Sequence, residues 1–370
     1  MTTHTDNTDN TTNTYTNTRQ LTGHKVVIPE AYKCVYESAE WREDQVPADS
    51  VLIRTDYSLI SPGTELAFYT GTHIDLNNPA NRWAKFPFYS GYASVGEVVA
   101  TGKEVGNKFQ SGQKVLTLGH HATYDILPCS DEFILPLPPG IDPKAALFAR
   151  LAEISMTALI HSRFREGHRV AVLGMGLIGN LAAQLYAIQG ANVIGIDLEP
   201  SRLDIAHSTN ISTTILSGSN VDLTVELRQA ANSGGASPDI VVEATGSPSL
   251  VNVALDAVRD HGQVILLGSP RGKAEIDIYR HIHRKGVSLI GAHGNIKGID
   301  GLPTSAELLR YVLRLIANGS LRTEPLLSHV LHWSEVQQGY ELLHQRKENA
   351  LGIVLDWTQE QPNMGFGKNA

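Results

Sequence analysis

Gly174, Gly176 and Gly179 stand in the spacing G-x-G-x-x-G. A short apolar run, Val170 to Leu173, leads into them, and a run with helical period, Ile178 to Ile188, leads out. A second apolar run, Val193 to Ile196, then ends in Asp197. The order is strand, tight turn, helix, strand, acidic residue, and the chemistry it suits is the holding of a dinucleotide. Gly174 allows the sharp turn off the strand, Gly176 lets a pyrophosphate approach the backbone, and Gly179 lets the helix lie close to the sheet. The helix that opens at Leu177 and Ile178 offers unpaired N–H groups and a partial positive charge to phosphates. A carboxylate at Asp197 can accept hydrogen bonds from ribose hydroxyls and would repel a 2′-phosphate, which favours NAD over NADP. Arg202 is the opposing signal, since an arginine there can receive that phosphate.

The elements that must position this turn are legible in the flanking pattern. Ile240–Glu243 and Val264–Leu267 are continuous apolar runs separated by a helical pattern over Ser249–Val258, and Val287–Ile290 reads as a last strand. Such runs alternating with helices predict a doubly wound parallel sheet over about 150–293. Before it, Lys25–Ile28, Lys33–Glu37, Ser50–Tyr57, Gly91–Thr101, Lys114–Leu118, Tyr124–Pro128 and Phe133–Leu137 read as short strands. They predict a compact barrel-like β domain over 22–149. Pro143–Ser162 has helical period and joins the two. After residue 293, an amphipathic helix over Thr304–Asn318 and a strand at Gly352–Asp356 predict a return segment, 294–370, that completes the first domain. Residues 1–21, rich in Thr and Asn, predict a disordered tail.

Composition narrows the classes. The 370 residues are 42% hydrophobic, enough for two domains with a substantial core. A formal net charge of −8 argues against a nucleic-acid surface, and the basic stretch Arg280–Lys285 reads as a solvated helix end or loop. Two cysteines, Cys34 and Cys129, make neither a metal cluster nor a disulfide framework, which suits a reducing cytoplasm. No apolar run approaches a membrane span.

The segments VLGMGLIG, VEATGSP, GQVILLG and HRKGVSLIGAHG, placed after a β domain and before a return segment, resemble the medium-chain dehydrogenase/reductase superfamily. The resemblance covers nearly the whole chain after residue 22. It implies a chaperonin-ten-like barrel beside a Rossmann domain, with an active site in the cleft between them. It implies transfer between a small-molecule alcohol or ketone and a nicotinamide cofactor, and a homodimer or homotetramer. It also implies that Thr245, Gly268, Ser269 and Gly291 hold the cofactor together with the glycine turn. Zinc members carry a cysteine where this chain has Ser61, a His-Glu pair where it has Tyr92-Ala93, and a further ligand where it has Ala149-Arg150. With all three positions lacking ligands, no zinc is expected; His120, His121 and Glu65 are the remaining set that a metal would have to use. The motifs ISPGTE and GYASVG resemble a zinc-lacking branch that includes bacteriochlorophyllide a dehydrogenase and sugar or cyclitol dehydrogenases.

Without a metal, a side chain must take the alcohol proton or stabilise the developing alkoxide. His121 is the first candidate base, since the family places this region near the substrate and imidazole titrates near neutrality. Tyr92, at a ligand-histidine position, is a candidate to bind or protonate the substrate oxygen, and Thr64 to pass a proton to solvent. Glu65, His120, Glu153 and His293 are candidate substrate contacts, with a structural pairing of Glu153 with Arg150 as the alternative for that residue. Two other functions fit less well: an NADPH-dependent quinone or enoyl reductase, against which Asp197 argues, and a non-catalytic nucleotide-binding protein.

Overall fold

The computed structural model describes residues 19–218, 221–230, 236–294, 301–346 and 348–359. The first region contains β1 (Gln20–Glu30), β2 (Lys33–Arg42), β3 (Ser50–Ile60), the short α1 (Thr64–Tyr69), β4 (Phe88–Tyr89), β5 (Ser94–Thr101), β6 (Lys114–Thr117), β7 (Tyr124–Pro128) and β8 (Ile134–Pro136). Two helices follow, α2 (Pro143–Ala146) and α3 (Ala149–His161). The second region alternates β9 (Arg169–Leu173), α4 (Leu177–Ile188), β10 (Asn192–Asp197), α5 (Pro200–Ser208), β11 (Thr213–Leu216), α6 (Leu223–Gln229), β12 (Ile240–Glu243), α7 (Leu250–Ala257), β13 (Gln263–Leu266) and β14 (Ser288–Gly291). The last described elements are α8 (Ser305–Ala317), β15 (Leu327–His332), α9 (Val336–Gln345) and β16 (Gly352–Asp356).

Strands β9 to β14 form one parallel sheet in the order β11-β10-β9-β12-β13-β14. Its residues alternate between two apolar layers. Val170, Val172, Ile240, Val242 and Ile265 meet Ala182, Ala183 and Tyr186 of α4 on one face. Ala171, Leu173, Val241 and Val264 meet Leu227 of α6 and Val251, Ala254 and Leu255 of α7 on the other. Burial on both faces explains why these strands read as unbroken apolar runs. The order reverses at β9, with β10 on one side and β12 on the other, and a crevice opens beyond the carboxyl ends there.

The other domain centres on β3, which pairs antiparallel with β5 along one edge. Its other edge is shared: Ser50–Arg54 pair with β7, and Tyr57–Ile60 pair with β16 from the chain's last described segment. β15 lies parallel beside β16, so both late strands belong to the sheet begun by β3. The apolar face of α8, with Leu308, Leu309, Val312 and Leu313, packs into the same core as Leu147, Phe148, Leu151 and Ala152.

Three boundaries differ from the sequence pattern. The hairpin β1–β2 is longer than the two short strands predicted, because its outer residues are polar and exposed and break no backbone pairing. β1 begins at Gln20, and Leu21 is buried with Trp41, so the last residues assigned to the tail belong to the fold; residues 1–18 lie outside the described chain. The helix predicted over Pro143–Ser162 is divided between α2 and α3 at Leu147–Phe148, which keep right-handed helical dihedrals and are fully buried.

Candidate active site

A cleft of about 560 Å3 runs between the two regions, bordered by the α1 segment and Tyr92 on one side and by the ends of β9, β12 and β13 on the other. At one end of the cleft the glycine turn is built by close approach. Gly174 has φ +92, a conformation that a side chain disfavours. A Cβ on Gly179 would lie 1.8 Å from the Gly174 carbonyl oxygen, so the first turn of α4 can sit this close only without one. Gly176, Leu177 and Ile178 border the cleft. Asp197 does not border it, yet it shapes the turn: its Oδ2 accepts from the Met175 N–H at 2.7 Å and its Oδ1 from the Glu199 N–H at 3.0 Å. Arg202 borders the cleft, with Nη1 3.3 Å from where a Gly176 Cβ would be. Its guanidinium therefore faces the turn.

Across the sheet, Thr245, Gly268 and Ser269 border the cleft. Sequence reasoning missed what holds them. Glu243, fully buried at the end of β12, accepts from the Thr245 N–H at 2.7 Å, from the Gly246 N–H at 3.1 Å and from the Thr245 hydroxyl. Gly291 closes β14 opposite Leu266 but lies away from the cleft wall.

At the other end, Thr64 and Tyr92 border the cleft together with Ser61. The Tyr92 hydroxyl donates to Ser61 Oγ. The Arg150 guanidinium lies 5.7 Å from the centre of the Tyr92 ring. Burial, and next the Glu65 charge, push the Tyr92 phenol up to about 12, while Ser61 and Arg150 pull it down. The three positions at which zinc members of the resembling family hold ligands thus carry a hydroxyl, a protonated phenol and a cation, already engaged with one another. That donor set does not fit a zinc ion. Among the described residues no group of three His, Cys, Asp or Glu side chains is placed to hold a metal.

Five of the residues expected to handle the proton or contact the substrate lie off the cleft wall. His121 is fully buried and does not border the cleft. Its Nδ1 is 2.7 Å from Ser58 Oγ, its Nε2 is 3.0 Å from Glu65 Oε2, and Trp357 Nε1 donates to the same Ser58 Oγ at 2.9 Å. Glu65 is equally buried, accepting from the Tyr340 hydroxyl at 2.8 Å, with Oε1 unpartnered. The imidazole is thus held at both nitrogens behind the cleft wall. His120 points outward, half exposed, against Asp125 at 3.0 Å. Glu153 is buried beneath Arg150: it pairs with that guanidinium, accepts from Ser305 Oγ at 2.7 Å, and burial raises its carboxyl above the usual range. His293 is exposed beyond β14 and is not part of the cleft wall. Thr70 and Thr72, from the loop Thr70–Phe88 that the sequence marks as a pocket loop, border the cleft, as do Arg271 and His344, which were not singled out from sequence.

Comparison with known proteins bears on this arrangement. The zinc-binding dehydrogenase family model matches residues 178–309. The L-galactonate-5-dehydrogenase of Escherichia coli K12 is 25% identical over 328 residues, 81% of this chain and 90% of the relative. An L-threonine 3-dehydrogenase of Bacillus licheniformis is 28% identical over 317 residues, 77% of this chain and 87% of the relative. The crystal structure of 2R,3R-butanediol dehydrogenase from Bacillus subtilis shares the fold with a TM-score of 0.76 at 20% identity, covering 90% of this chain and 99% of the other. The chain belongs to the medium-chain dehydrogenase/reductase superfamily, as an enzyme of its alcohol-dehydrogenase type. Its relatives act on small molecules, and none of its described helices is long and apolar enough to cross a membrane.

Proposed function

We propose that the chain is a zinc-independent, NAD-dependent oxidoreductase that interconverts a secondary alcohol (a polyol, cyclitol, sugar or ring-borne hydroxyl) and its carbonyl. The observation that carries this reading is the Ser61–Tyr92–Arg150 cluster standing where zinc relatives hold their ligands. Bound along the glycine turn, a nicotinamide dinucleotide would supply the redox equivalent. Gly174, Gly176, Gly179 and the start of α4 would receive its phosphates. Arg202, turned toward Gly176, would meet those same phosphates, and Asp197 would disfavour an additional one on the ribose.

The proton is handled by the chain's own side chains. The Tyr92 hydroxyl, protonated at neutral pH, donates to the carbonyl oxygen and so stabilises the charge that develops there. In the alcohol-oxidising direction the phenolate accepts the hydroxyl proton. Arg150, beside the ring and paired with Glu153, which also accepts from Ser305, offsets the phenolate charge. Ser61 orients the phenol, and Thr64 carries the proton toward solvent. We place this enzyme in the cytoplasm as a homodimer or homotetramer, which sedimentation of the purified protein checks.

The deciding experiment is a screen of polyols, cyclitols, sugars and hydroxyethyl-bearing rings with NAD and NADP, on protein stripped with chelator and then given zinc. Turnover with NAD that is indifferent to zinc is expected. Activity that vanishes on stripping and returns with zinc would overturn the metal-free reading. Faster reduction of quinones or enones with NADPH than oxidation of any alcohol would overturn the reaction.

A further inference from the structure

The cleft wall has a charge bias that the proton chemistry does not use. Among the described residues that border it, Arg202, Arg271 and His344 are ionisable bases, and none is an Asp or Glu. Arg202 faces the glycine turn, but Arg271 is elsewhere. It follows β13, the second strand beyond β9 on the side away from β10. With strands about 4.8 Å apart, β13 ends about 10 Å from the glycine turn. Asp197 and Arg202 belong to the opposite flank.

Arg271 shares the cleft wall with the segment after α1. Its charge acts on the buried His73, which burial first and then Arg271 hold below the usual imidazole range. Thr70 and Thr72, from the same segment, border the cleft beside it, their hydroxyls 2.8 Å apart. Thr64, at the opposite end of α1, is beside Ser61 and Tyr92. Six helical residues rise about 9 Å, which separates this corner from the proton-handling end. Among the described residues the Arg271 guanidinium has no hydrogen-bond or ion-pair partner, and half-burial costs it hydration with no acid in return. An arginine held this way wants an anion, and its planar fork suits a carboxylate or phosphate in two parallel hydrogen bonds.

We propose that Arg271, with Thr70 and Thr72, forms an anion subsite in the substrate half of the cleft, so that the alcohol this enzyme takes carries a carboxylate or phosphate several bonds from the reacting carbon. This deepens the proposed function and rests on it for the identity of the cleft.

The test compares neutral polyols with their aldonates and their terminal phosphate esters. Each is titrated calorimetrically into the NAD-bound full-length protein, and each is assayed for oxidation. An anionic member should bind about tenfold or more tightly than its neutral parent. Arg271→Gln should abolish that preference while leaving NAD affinity unchanged, and Arg271→Lys should restore part of it. Whether carboxylate or phosphate wins identifies the ligand class. Equal binding of neutral and anionic members overturns the subsite. So does a rise in the NAD dissociation constant of Arg271→Gln that matches the substrate loss, because the arginine would then serve the cofactor. Anionic members that bind through Arg271 but are never oxidised would sustain the subsite and refute the alcohol-oxidising function.

Discussion

At the residue scale, the site depends on which hydroxyl holds a proton. Tyr92 keeps its proton up to about 12, so it is a donor across the physiological range. Carbonyl reduction should therefore be nearly flat between pH 6 and 9. Alcohol oxidation, which draws on the small phenolate fraction, should climb roughly tenfold per pH unit. Tyr92→Phe should lower turnover about 100-fold or more and remove that climb, as steady-state pH profiles would reveal. His121→Ala should act differently. Losing a fully buried partner of Glu65 and Ser58 should cost roughly 2–5 kcal/mol in urea unfolding. The enzyme that remains folded should keep the wild-type pH slope; a flattened slope would return His121 to the role of base. The sequence exposed Tyr92 through its place after Gly91. The Ser61 partner was marked only by the family's ligand positions, because a contact across 31 positions leaves no local pattern. The burial of His121 was hidden for a related reason. Its suitability as a base is intrinsic to imidazole, while its burial comes from Trp357 and Glu65, which are remote in the chain.

At the element scale, the glycine turn was legible because every constraint on it is local. The strand, the three glycines and Asp197 all lie within one βαβ unit. Gly179→Ala should be among the most damaging single-methyl additions in the chain. Its Cβ would collide with the Gly174 carbonyl, backbone that cannot swing away, and the expected loss is about 3 kcal/mol or more in thermal unfolding. Retention of wild-type stability would mean that α4 slides without cost. Less legible was the dependence of one element on another. Arg150 and Glu153 lie three apart on α3, so their pairing was an available reading. The third member, Ser305, opens α8 in the return segment. That helix is fixed by a capping box between Thr304 and Glu307. The cation beside Tyr92 is thus held by a helix start 152 positions away from Glu153.

At the scale of the whole molecule, the cleft joins two regions that share one apolar cluster through α3, α4 and α8, and a bound nucleotide should stabilise the folded chain by mass action. At a concentration of NAD one hundred times its dissociation constant the gain is about 2.7 kcal/mol, and differential scanning should record it as a higher midpoint. NADP at the same concentration should give a smaller shift, and Asp197→Ala should narrow the difference between the two. Equal shifts in the unaltered protein would remove the argument from Asp197. The division into a strand-rich region and a βα region was readable from the change of period near residue 143. The destination of each late strand was not, because pairing partners in a sheet are set by packing across the chain.

That β3 takes β16 along the edge it also shares with β7 sets an order of events during synthesis. The six-stranded sheet has all its strands once residue 291 has left the ribosome, whereas β3 waits for residues 353–356. The strands of the six-stranded sheet can therefore pair on the nascent chain while half of a β3 edge stays open. For that interval the protein is most exposed to mispairing with its neighbours on a polysome.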